Sequence, residues 1–379
     1  MVPKAPSIGA NDTDTVNARE SAMNLPDSSD DRNDPRRPPT VSVGVPVYNG
    51  ERFLRAALES LRSQTFTEFE VVICDNASTD ATADIAQDYQ QEDRRFRHVR
   101  NPENLGLVRN YRRALEIARG QYFKWHSSDD ILQRDYLAEM VRALGTDPRA
   151  VLCACLMPPI DSVGEPIPFD ETADGHISES GERYRVWPAP PGLSDERAIV
   201  RFDSAVNELP GNMQGQFYYG LMRTDVVRQL PEHGLYLGAE RVLLAELAMR
   251  GRWLFIDRPL VRRRIHSEHF GGGTVQDTAV GLDPQRSRRL AFPAAQQFAG
   301  YVRALHGVPL SPTDRLRGYR SIARKVMRAG TWRAMFERGP DNYFGWGAKT
   351  EKRRGSDRDA QHPRLAPDNT VRATDGNGT

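Results

Sequence analysis

Two strand-like apolar segments of this chain each end at acidic residues. The run 71–74 stops at Asp75, and the run 122–125 is followed closely by Asp129 and Asp130. In an open α/β sheet, ligands bind outside the carboxyl ends of the strands. Carboxylates at that edge can hold a ribose, a base or a divalent metal ion. The two segments therefore predict an α/β fold with a nucleotide site at one edge of its sheet.

The first apolar segment, 41–47, supports this prediction. Its valines alternate with small residues, as expected of a buried strand. Pro46 has no N–H to donate, so strand pairing should end near it, and Asn49-Gly50 is a turn pair. Apolar residues then recur at helical spacing, with arginine and glutamate on the opposite face. The segment thus predicts a strand, a turn and a helix in succession.

Strand and helix patterns alternate through the centre of the chain. We predict strands at 41–47, 71–75, 97–100, 121–125, 151–156, 217–222 and 253–265 (the last interrupted at Pro259), and helices at 51–62, 80–91, 107–119, 133–144 and 239–250. This alternation indicates a mostly parallel central sheet with helices on both faces. Residues 158–215 hold many prolines and glycines and are too long for an ordinary connection, which indicates a loop system on the ligand side of the sheet or an insertion.

The ends of the chain are polar and contain few large apolar residues. Such segments cannot offset their ordering entropy by burial. We therefore expect disordered tails at 1–39 and 349–379, an α/β domain at 40–270 and a C-terminal helical extension at 271–348.

Charge and cysteine content narrow the class of protein. The formal net charge is +1, so no strong field directs the chain to nucleic acid. No apolar run approaches the ~20 residues that span a bilayer, and the N-terminus lacks the apolar stretch of a secretory signal. Cys74, Cys153 and Cys155 lie in strand-like runs and are expected to be buried free thiols. These features predict a cytoplasmic protein.

Two longer segments resemble a known enzyme family. The segment VSVGVPVYNGERFLRAALESLRSQTFTEFEVVICDNASTDAT resembles the opening of glycosyltransferase family 2, and NPENLGLVRNYRRALEIARGQYFKWHSSDD resembles its continuation to the metal-binding DxD element. The resemblance is dense from Val41 to Leu144 and thinner from there to His266. It implies a GT-A fold and an inverting transfer from a nucleotide sugar, with a UDP-sugar favoured and Mg²⁺ or Mn²⁺ as the cofactor.

The resemblance also implies a metal site after the fourth strand. The DxD positions fall on Ser127, Ser128 and Asp129, followed by Asp130. Because the first acid is a serine here, Asp129 is left as the principal carboxylate ligand, and we expect weaker metal binding. Ser127 could still bond a ribose hydroxyl. The alternative is that Asp129 or Asp130 only caps the following helix.

Further donor-binding residues are implied at the ends of the other strands. Asp75 would bond the base, with an Asx-turn as the alternative; Ser78, Thr79 and Asp80 are stronger helix-cap candidates. Glu51 would lie near the ribose, with stabilisation of a helix N-terminus as the alternative. The family's donor positions, including the loop after the first strand and an N-x-G stretch, fall on Pro46, Tyr48, Asn49, Glu51, Asp75, Asn104, Gly106, Arg109, Ser127, Ser128 and Asp130.

An inverting transfer needs a base that removes the proton of the acceptor hydroxyl. In the family this base is an acid at the start of a later helix, and Glu240 matches that place; the alternative is an ordinary first-turn acid. Glu246 does not present beside it and is expected at the surface. His266 is a candidate metal ligand, and Gly271–Gly273 resembles a flexible lid, with a plain loop as the alternative.

A basic helical pattern covers 313–337 and has an apolar side. It predicts a helix packed on the catalytic domain or, alternatively, a peripheral contact with the inner face of the membrane that would suit a lipid-linked acceptor. The sequence leaves the acceptor open between a glycan, a lipid-linked and a small-molecule acceptor.

Three other functions compete with this interpretation of the same residues. A non-catalytic nucleotide- or carbohydrate-binding protein of this fold is the main rival, because of Ser127. A dinucleotide-dependent oxidoreductase is weaker, since no G-x-G-x-x-G follows the first strand. A nucleotidyltransferase would need a glycine-rich basic loop there instead of VPVYNGERF.

Overall fold

The computed structural model of this chain describes residues 38–179, 181–209, 214–231, 234, 236, 238–266 and 293–328. The predicted tails lie outside the described residues, except for residues 38 and 39. The glycine run 271–273 also lies outside them. The predicted domain boundaries stay predictions. Within the described part of the chain, no helix is long and apolar enough to cross a membrane.

The central sheet has seven strands in the order β12-β6-β11-β4-β1-β2-β3 among the described residues. All neighbours in it are parallel except β11, which is antiparallel to both β4 and β6. The strands are β1 (Val41–Val47), β2 (Phe69–Asp75), β3 (Phe96–Arg100), β4 (Tyr122–Trp125), β5 (Ile131–Leu132), β6 (Ala150–Leu156), β7 (Pro159–Ile160), β8 (Phe169–Asp170), β9 (Gly175–Ile177), β10 (Arg183–Tyr184), β11 (Leu221–Arg223), β12 (Arg252–Pro259) and β13 (Val261–Arg264). The prediction of a mostly parallel α/β sheet is confirmed.

Helices cover both faces of this sheet. They are α1 (Glu51–Arg62), α2 (Thr82–Glu92), α3 (Leu107–Glu116), α4 (Tyr136–Thr146), α5 (Ala198–Asn207), α6 (Gln214–Tyr218), α7 (Thr224–Arg228), α8 (Ala239–Arg250), α9 (Pro293–His306) and α10 (Pro312–Met327). Helices α1, α2 and α4 share one apolar cluster with the sheet, and α3, α6, α7 and α8 share another. Every residue of β1 and β2 is buried, as expected for strands covered on both faces.

Close packing of α3 on β1 depends on a glycine. A Cβ placed on Gly44 would lie 2.8 Å from the Cβ of Ala114 and 3.0 Å from the ring of Phe123. Contacts that short force neighbouring atoms apart, so any larger residue at this position would push the helix off the sheet.

The region 158–215 contains elements that the sequence did not predict. Strands β8, β9 and β10 form a small antiparallel sheet, and α5 follows it. The predicted strand at 217–222 is wrong at its start, because Phe217 and Tyr218 end helix α6 and only β11 is extended. Strands β7 and β5 flank β13 in a second small sheet.

The C-terminal helices α9 and α10 pack on α8 and α5. Tyr301 and Leu305 of α9 and Ile322 of α10 are buried in one cluster with Phe202 and Val242. This confirms that a helical C-terminal region is present and that the basic segment packs on the domain. Its predicted continuation beyond 328 lies outside the described residues.

Candidate active site

The loop after β1 forms the first side of the site. Pairing of β1 with β4 stops at Gly44, whereas pairing with β2 continues to Val47. The ladder therefore ends near Pro46 on the β4 side only, where the missing N–H would have donated. Asn49 has a φ of 50°, and its Oδ1 accepts a hydrogen bond from Thr79 N at 2.8 Å. This contact ties the loop after β1 to the loop after β2.

Asp75 lies at the end of β2 and is fully buried. Its Oδ1 accepts from Ser78 N at 2.9 Å, and its Oδ2 accepts from Arg100 Nη1 at 2.6 Å. Burial alone would raise the pKa of Asp75, but interactions with His98, Ser78 and Arg100 lower it to about 2. The Asx-turn contact is thus present, and both carboxylate oxygens of Asp75 have protein partners. Its bond to a nucleotide base stays a prediction.

Glu51 and Asp80 join two helix N-termini. Glu51 Oε2 accepts from Ala81 N at 2.8 Å, where α2 begins, and Asp80 Oδ2 accepts from Glu51 N at 3.1 Å, where α1 begins. Asp80 Oδ1 also accepts from Thr82 N at 3.0 Å. Acidic groups are favourable at helix N-termini, so the structural alternative for Glu51 is present, and its contact with a ribose stays a prediction.

A group of asparagines, which the sequence did not reveal, holds the loop before α3. Asn101 Nδ2 donates to Asn76 Oδ1 at 3.0 Å and to Asn110 Oδ1 at 2.9 Å, and Asn76 Nδ2 donates to Asn104 Oδ1 at 2.7 Å. Asn104 Oδ1 also accepts from Gly106 N at 2.9 Å, and the φ of 83° at Gly106 favours glycine. The predicted residues Asn104 and Gly106 are thereby fixed beside the end of β2.

Asp129 is the centre of the site at the end of β4. Its Oδ1 accepts a short hydrogen bond from Ser127 Oγ, and its Oδ2 lies 2.9 Å from His266 Nε2. Burial alone would raise the pKa of Asp129, but the hydrogen bonds from His266 and Ser127 lower it. The structure therefore brings together the two predicted metal ligands.

Asp130 points away from this pair and into the protein. It is 4% exposed, and its Oδ1 accepts from Arg264 N at 3.0 Å. Burial and the neighbouring Asp129 charge raise the pKa of Asp130 to about 7. The observed bond ties the acidic turn to β13, and a direct donor contact by Asp130 stays a prediction.

Lys124 is a charged residue that the sequence analysis overlooked. It is fully buried inside β4, its Nζ donates to Trp125 O at 2.9 Å, and it lies over the ring of Tyr136. Burial lowers its pKa to about 7, although the charge of Asp130 opposes that shift. Only its position between two aromatic residues of the apolar run "YFKW" signals that it is buried.

The end of β13 docks on the first turn of α1. The ring of His266 lies 4.5 Å from that of Phe53, and Arg264 Cζ lies 4.9 Å from the same ring. Arg264 Nε also donates to Asp129 O at 3.0 Å. A Cβ placed on Gly50 would lie 3.5 Å from Ser128 Oγ. Thus the loops after β1, β4 and β13 meet around Asp129.

An aromatic cluster lies near both Asp129 and the candidate base. Tyr218 stacks on Trp125 with ring centroids 4.9 Å apart, and the hydroxyls of Tyr111 and Tyr219 lie 2.9 Å apart. Burial raises the pKa of all three tyrosines, with further contributions from the charges of Glu240 on Tyr218 and of Asp129 on Tyr111 and Tyr219. Both acids are therefore close enough to this aromatic cluster to affect the pKa values of its tyrosines.

Glu240 lies in the first turn of α8, as predicted. Burial raises the pKa of Glu240, while the charge of Arg241 opposes that shift. A carboxylate with a raised pKa is suited to accept a proton near neutral pH. The helix-terminus alternative is equally satisfied by this position, so the base role stays a prediction.

The other residues named in the sequence analysis differ in their exposure to solvent. Tyr48 is 48% exposed, and Arg109 lies half-buried in the first turn of α3. Arg112 Nε, one turn further along, pairs with Glu116 at 2.6 Å on the exposed face of α3. The expectation of a surface position for Glu246 is wrong, because this side chain is 2% exposed. The cysteines are buried and unpaired, as predicted.

The donor set around Asp129 is compatible with a divalent cation. Mg²⁺ is usually held by one or two carboxylates together with waters and substrate phosphates, and Asp129 with His266 would supply such a partial set. Among the described residues, no group of three or more His, Cys, Asp or Glu side chains could hold a metal by itself. A metal would therefore depend on the diphosphate of a bound donor for its remaining ligands.

Part of the chain matches a known protein family. The sequence model of the family described as "Glycosyl transferase family 2" matches residues 42–205. Over these residues the chain matches glycosyl transferase family 2, and its architecture is a GT-A fold. The resemblance found in the sequence is confirmed.

Individual relatives match over shorter stretches. EpsH of Bacillus subtilis is 42% identical over 117 residues, which are 30% of this chain and 33% of EpsH. Chondroitin synthase of Escherichia coli is 36% identical over 100 residues, 26% of this chain and 14% of the synthase. Each match spans a third or less of the relative's own length.

A solved structure extends the likeness in fold. S. aureus TarS 1–349 in complex with UDP-GlcNAc has a TM-score of 0.53 at 16% identity, and the alignment covers 82% of this chain and 77% of TarS. At this identity the likeness concerns the fold alone.

Proposed function

We propose that this protein is an inverting glycosyltransferase that uses a nucleotide sugar, with a UDP-sugar as the favoured donor. The observation that carries the proposal is the meeting of Asp129 and His266 at the carboxyl edge of a GT-A sheet. The family match over residues 42–205 and the UDP-GlcNAc bound by TarS support the donor class.

The donor would lie across the ends of β1, β2 and β4. Asp75, already polarised by Arg100, would accept a hydrogen bond from the base, and Asn49 and Glu51 would approach the ribose from the loop after β1. Ser127 and Ser128 would bond donor hydroxyls. Arg109 in the first turn of α3 would approach the diphosphate, since a guanidinium suits phosphate oxygens.

Asp129 and His266 would hold a Mg²⁺ or Mn²⁺ ion together with the donor. When bound, such an ion neutralises the negative charge that develops on the leaving diphosphate. Ser127 and Arg264 contribute by fixing Asp129 through its side chain and its carbonyl oxygen, respectively. This support keeps the Asp129 carboxylate oriented before a ligand arrives.

Glu240 would act as the general base. It would take the proton of the acceptor hydroxyl while the hydroxyl oxygen bonds to the anomeric carbon and the bond to the diphosphate breaks on the opposite side. The raised pKa of Glu240 favours this role, because a base works best when its pKa is near the working pH. The partly exposed ring of Tyr218, which stacks on the buried Trp125, would contact the sugar near Glu240 and Asp129.

The acceptor would be a glycan or a lipid-linked sugar. The exposed face of α10 carries Leu316, Tyr319 and Met327 beside Arg320 and Arg324. A helix face that combines apolar and cationic side chains binds anionic lipid surfaces. We therefore propose a cytoplasmic protein that contacts the inner face of the membrane through α10.

The function is tested by calorimetric titration with UDP, GDP and dTDP in Mn²⁺ and then in EDTA, followed by UDP-sugar hydrolysis. Metal-dependent binding of UDP and slow hydrolysis of a UDP-sugar are the expected results. Metal-dependent binding without hydrolysis, and without transfer to any of a panel of acceptor glycans, would favour the non-catalytic binding protein. Absence of any nucleotide binding would overturn both functions.

A further inference from the structure

A second cavity lies away from the nucleotide site, between helices α8 and α9. Its volume is about 250 Å³. Its apolar wall includes Leu230, Val242 and Leu243, and its polar groups include Glu246 and Arg303. At about 30 Å³ per water molecule in the liquid, this is room for about eight waters or for one sugar ring.

Glu246 is the unusual residue in this wall. It is 2% exposed, and its Oε2 accepts from Arg250 Nη1 at 2.6 Å. Its Oε1 has no hydrogen-bond donor among the described residues, and Arg303 Nε lies 3.6 Å from it. A buried acceptor without a donor costs about 1–3 kcal/mol. The cavity therefore offers a carboxylate oxygen that a ligand hydroxyl or amide could satisfy.

The charged residues around the cavity limit which ligands it can bind. Arg250 and Arg303 both pair with Glu246, so a cationic ligand would meet two guanidinium groups. An anionic group placed against Glu246 Oε1 would meet a carboxylate of like charge. A neutral ligand with several hydroxyls can donate to that oxygen and accept from the exposed Arg303, while its C–H face covers Val242 and Leu243. These properties describe an uncharged pyranose.

The cavity is placed along the helix that carries the candidate base. Ala239, Val242, Leu243 and Glu246 line it at the spacing of a single face of α8. Glu240 lies on the adjoining face, and its Cα is about 9 Å from that of Glu246 along the axis at 1.5 Å per residue. One or two sugar units could cover such a separation.

We propose that this cavity binds an uncharged pyranose unit of the acceptor glycan, beyond the unit whose hydroxyl reacts. The assignment of that sugar to the acceptor rests on the proposed glycosyl transfer. Binding of the sugar itself requires neither donor nor turnover, so the two proposals can be tested apart.

The test is saturation-transfer NMR with two probes, methyl β-D-glucopyranoside and methyl N-acetyl-β-D-glucosaminide. Ala299 lines the cavity and is exposed, so Ala299→Trp would fill the space without disturbing a buried residue. Ala295 is exposed on the same helix and does not line the cavity, so Ala295→Trp is the matched control. Melting temperatures check that both variants fold.

We expect at least one glycoside to bind the wild type, Ala299→Trp to weaken that binding at least tenfold, and Ala295→Trp to leave it unchanged. Glu246→Gln, which keeps the shape and the size of the side chain, should weaken binding as well. No saturation transfer from the wild type to either probe would mean that the cavity holds only water and would overturn the proposal. Equal binding by Ala299→Trp would place the sugar elsewhere, with the same consequence.

A UDP titration in the presence of Mn²⁺ on the same three proteins separates this proposal from the proposed function. UDP binding should be the same in wild type, Ala299→Trp and Ala295→Trp. Glycoside binding without any UDP binding would contradict the glycosyltransferase proposal while leaving the saccharide site in place.

Discussion

His266 Nε2 lies 2.9 Å from Asp129 Oδ2, although 137 residues separate them in the chain. The contact exists because β13 returns beside β5 and β7, and because the imidazole packs on Phe53 at the start of α1. A carboxylate and an imidazole held in this way can serve together as ligands. They also give the site a defined geometry before any ligand binds.

The first prediction concerns this pair. Asp129→Ala should abolish transfer and the Mn²⁺-dependent part of UDP binding, because it removes the principal carboxylate. His266→Ala should weaken Mn²⁺-dependent binding by about 10–100-fold, the cost typical of groups that support a metal site. Calorimetric titration of UDP with and without Mn²⁺ measures both effects. Asp135→Ala, at an exposed aspartate paired with Arg258, is the control; unchanged binding by Asp129→Ala would refute the metal role.

The second prediction concerns Ser127. Its hydroxyl donates to Asp129, so the serine supports the acid without adding charge. Ser127→Asp should lower thermal stability without a metal, because it places a third carboxylate beside Asp129 and Asp130. The same variant should gain more stability from Mn²⁺ than the wild type does. Thermal melts in EDTA and in Mn²⁺ test this, with Ser127→Asn as the uncharged control. A smaller Mn²⁺-dependent gain than in the wild type would exclude a metal at this position.

Much of the fold could be predicted because its signals are local. The alternating valines of β1, the apolar run of β2 and the acids after β4 each lie within a few consecutive residues, and they predict strands that end at one edge of a sheet. The position of Glu240 could also be predicted from a local signal, because it lies at the start of a helical pattern.

Other features depend on contacts between distant segments. The bonds of Asn101 to Asn76 and Asn110 join two loops and a helix that are separate in sequence. The burial of Glu246 could not be predicted from the sequence of α8 alone. Helix α9, which covers this residue, follows a long segment that has no clear helix or strand pattern. Phe217 has a high strand propensity, but it lies in helix α6, where its ring packs against Trp253. Here tertiary packing overrides the local propensity.

The third prediction concerns the buried carboxylate of Asp75, which pairs with the exposed Arg100. The folded-state pKa of Asp75 is lowered to about 2, so its contribution to stability is complete above the ordinary pKa of about 3.9 and is lost as the pH falls toward 2. At about 1.4 kcal/mol per pKa unit, Asp75→Asn should destabilise the protein by up to about 2 kcal/mol at pH 7. Urea unfolding at pH 7, 5, 4 and 3 should show this difference shrinking below pH 4.

The matched control for this prediction is Asp88→Asn, because Asp88 forms a solvent-exposed pair with Arg55. Such pairs contribute about 0–1 kcal/mol. A difference between wild type and Asp75→Asn that stayed constant from pH 7 to pH 3 would show that charge at Asp75 does not stabilise the fold.

The fourth prediction concerns the exposed face of α10. Arg320 lies between Tyr319 and Arg324 on this face, and a basic residue near an anionic membrane contributes about 1 kcal/mol. Arg320→Glu should therefore reduce binding to vesicles of phosphatidylglycerol and phosphatidylcholine severalfold, as measured by co-sedimentation. Arg142→Glu, at an arginine that is 70% exposed on α4, should not. Failure of the wild type to prefer anionic over pure phosphatidylcholine vesicles would exclude this contact.

The fifth prediction concerns the base. Glu240→Gln keeps the shape of the side chain but cannot accept a proton, so UDP-sugar binding should persist while transfer falls by about 10²–10⁴-fold.

In the wild type, the base must be deprotonated to act, so the rate should rise with pH through the pKa of Glu240. Because burial raises that pKa, the rise should be centred above about 4.3, the ordinary value for glutamate. Glu208→Gln, at an exposed glutamate after α5, should leave both the rate and its pH profile unchanged. Transfer by Glu240→Gln at the wild-type rate would mean that another group takes the proton, and the acid limb of the pH profile would then belong to that group.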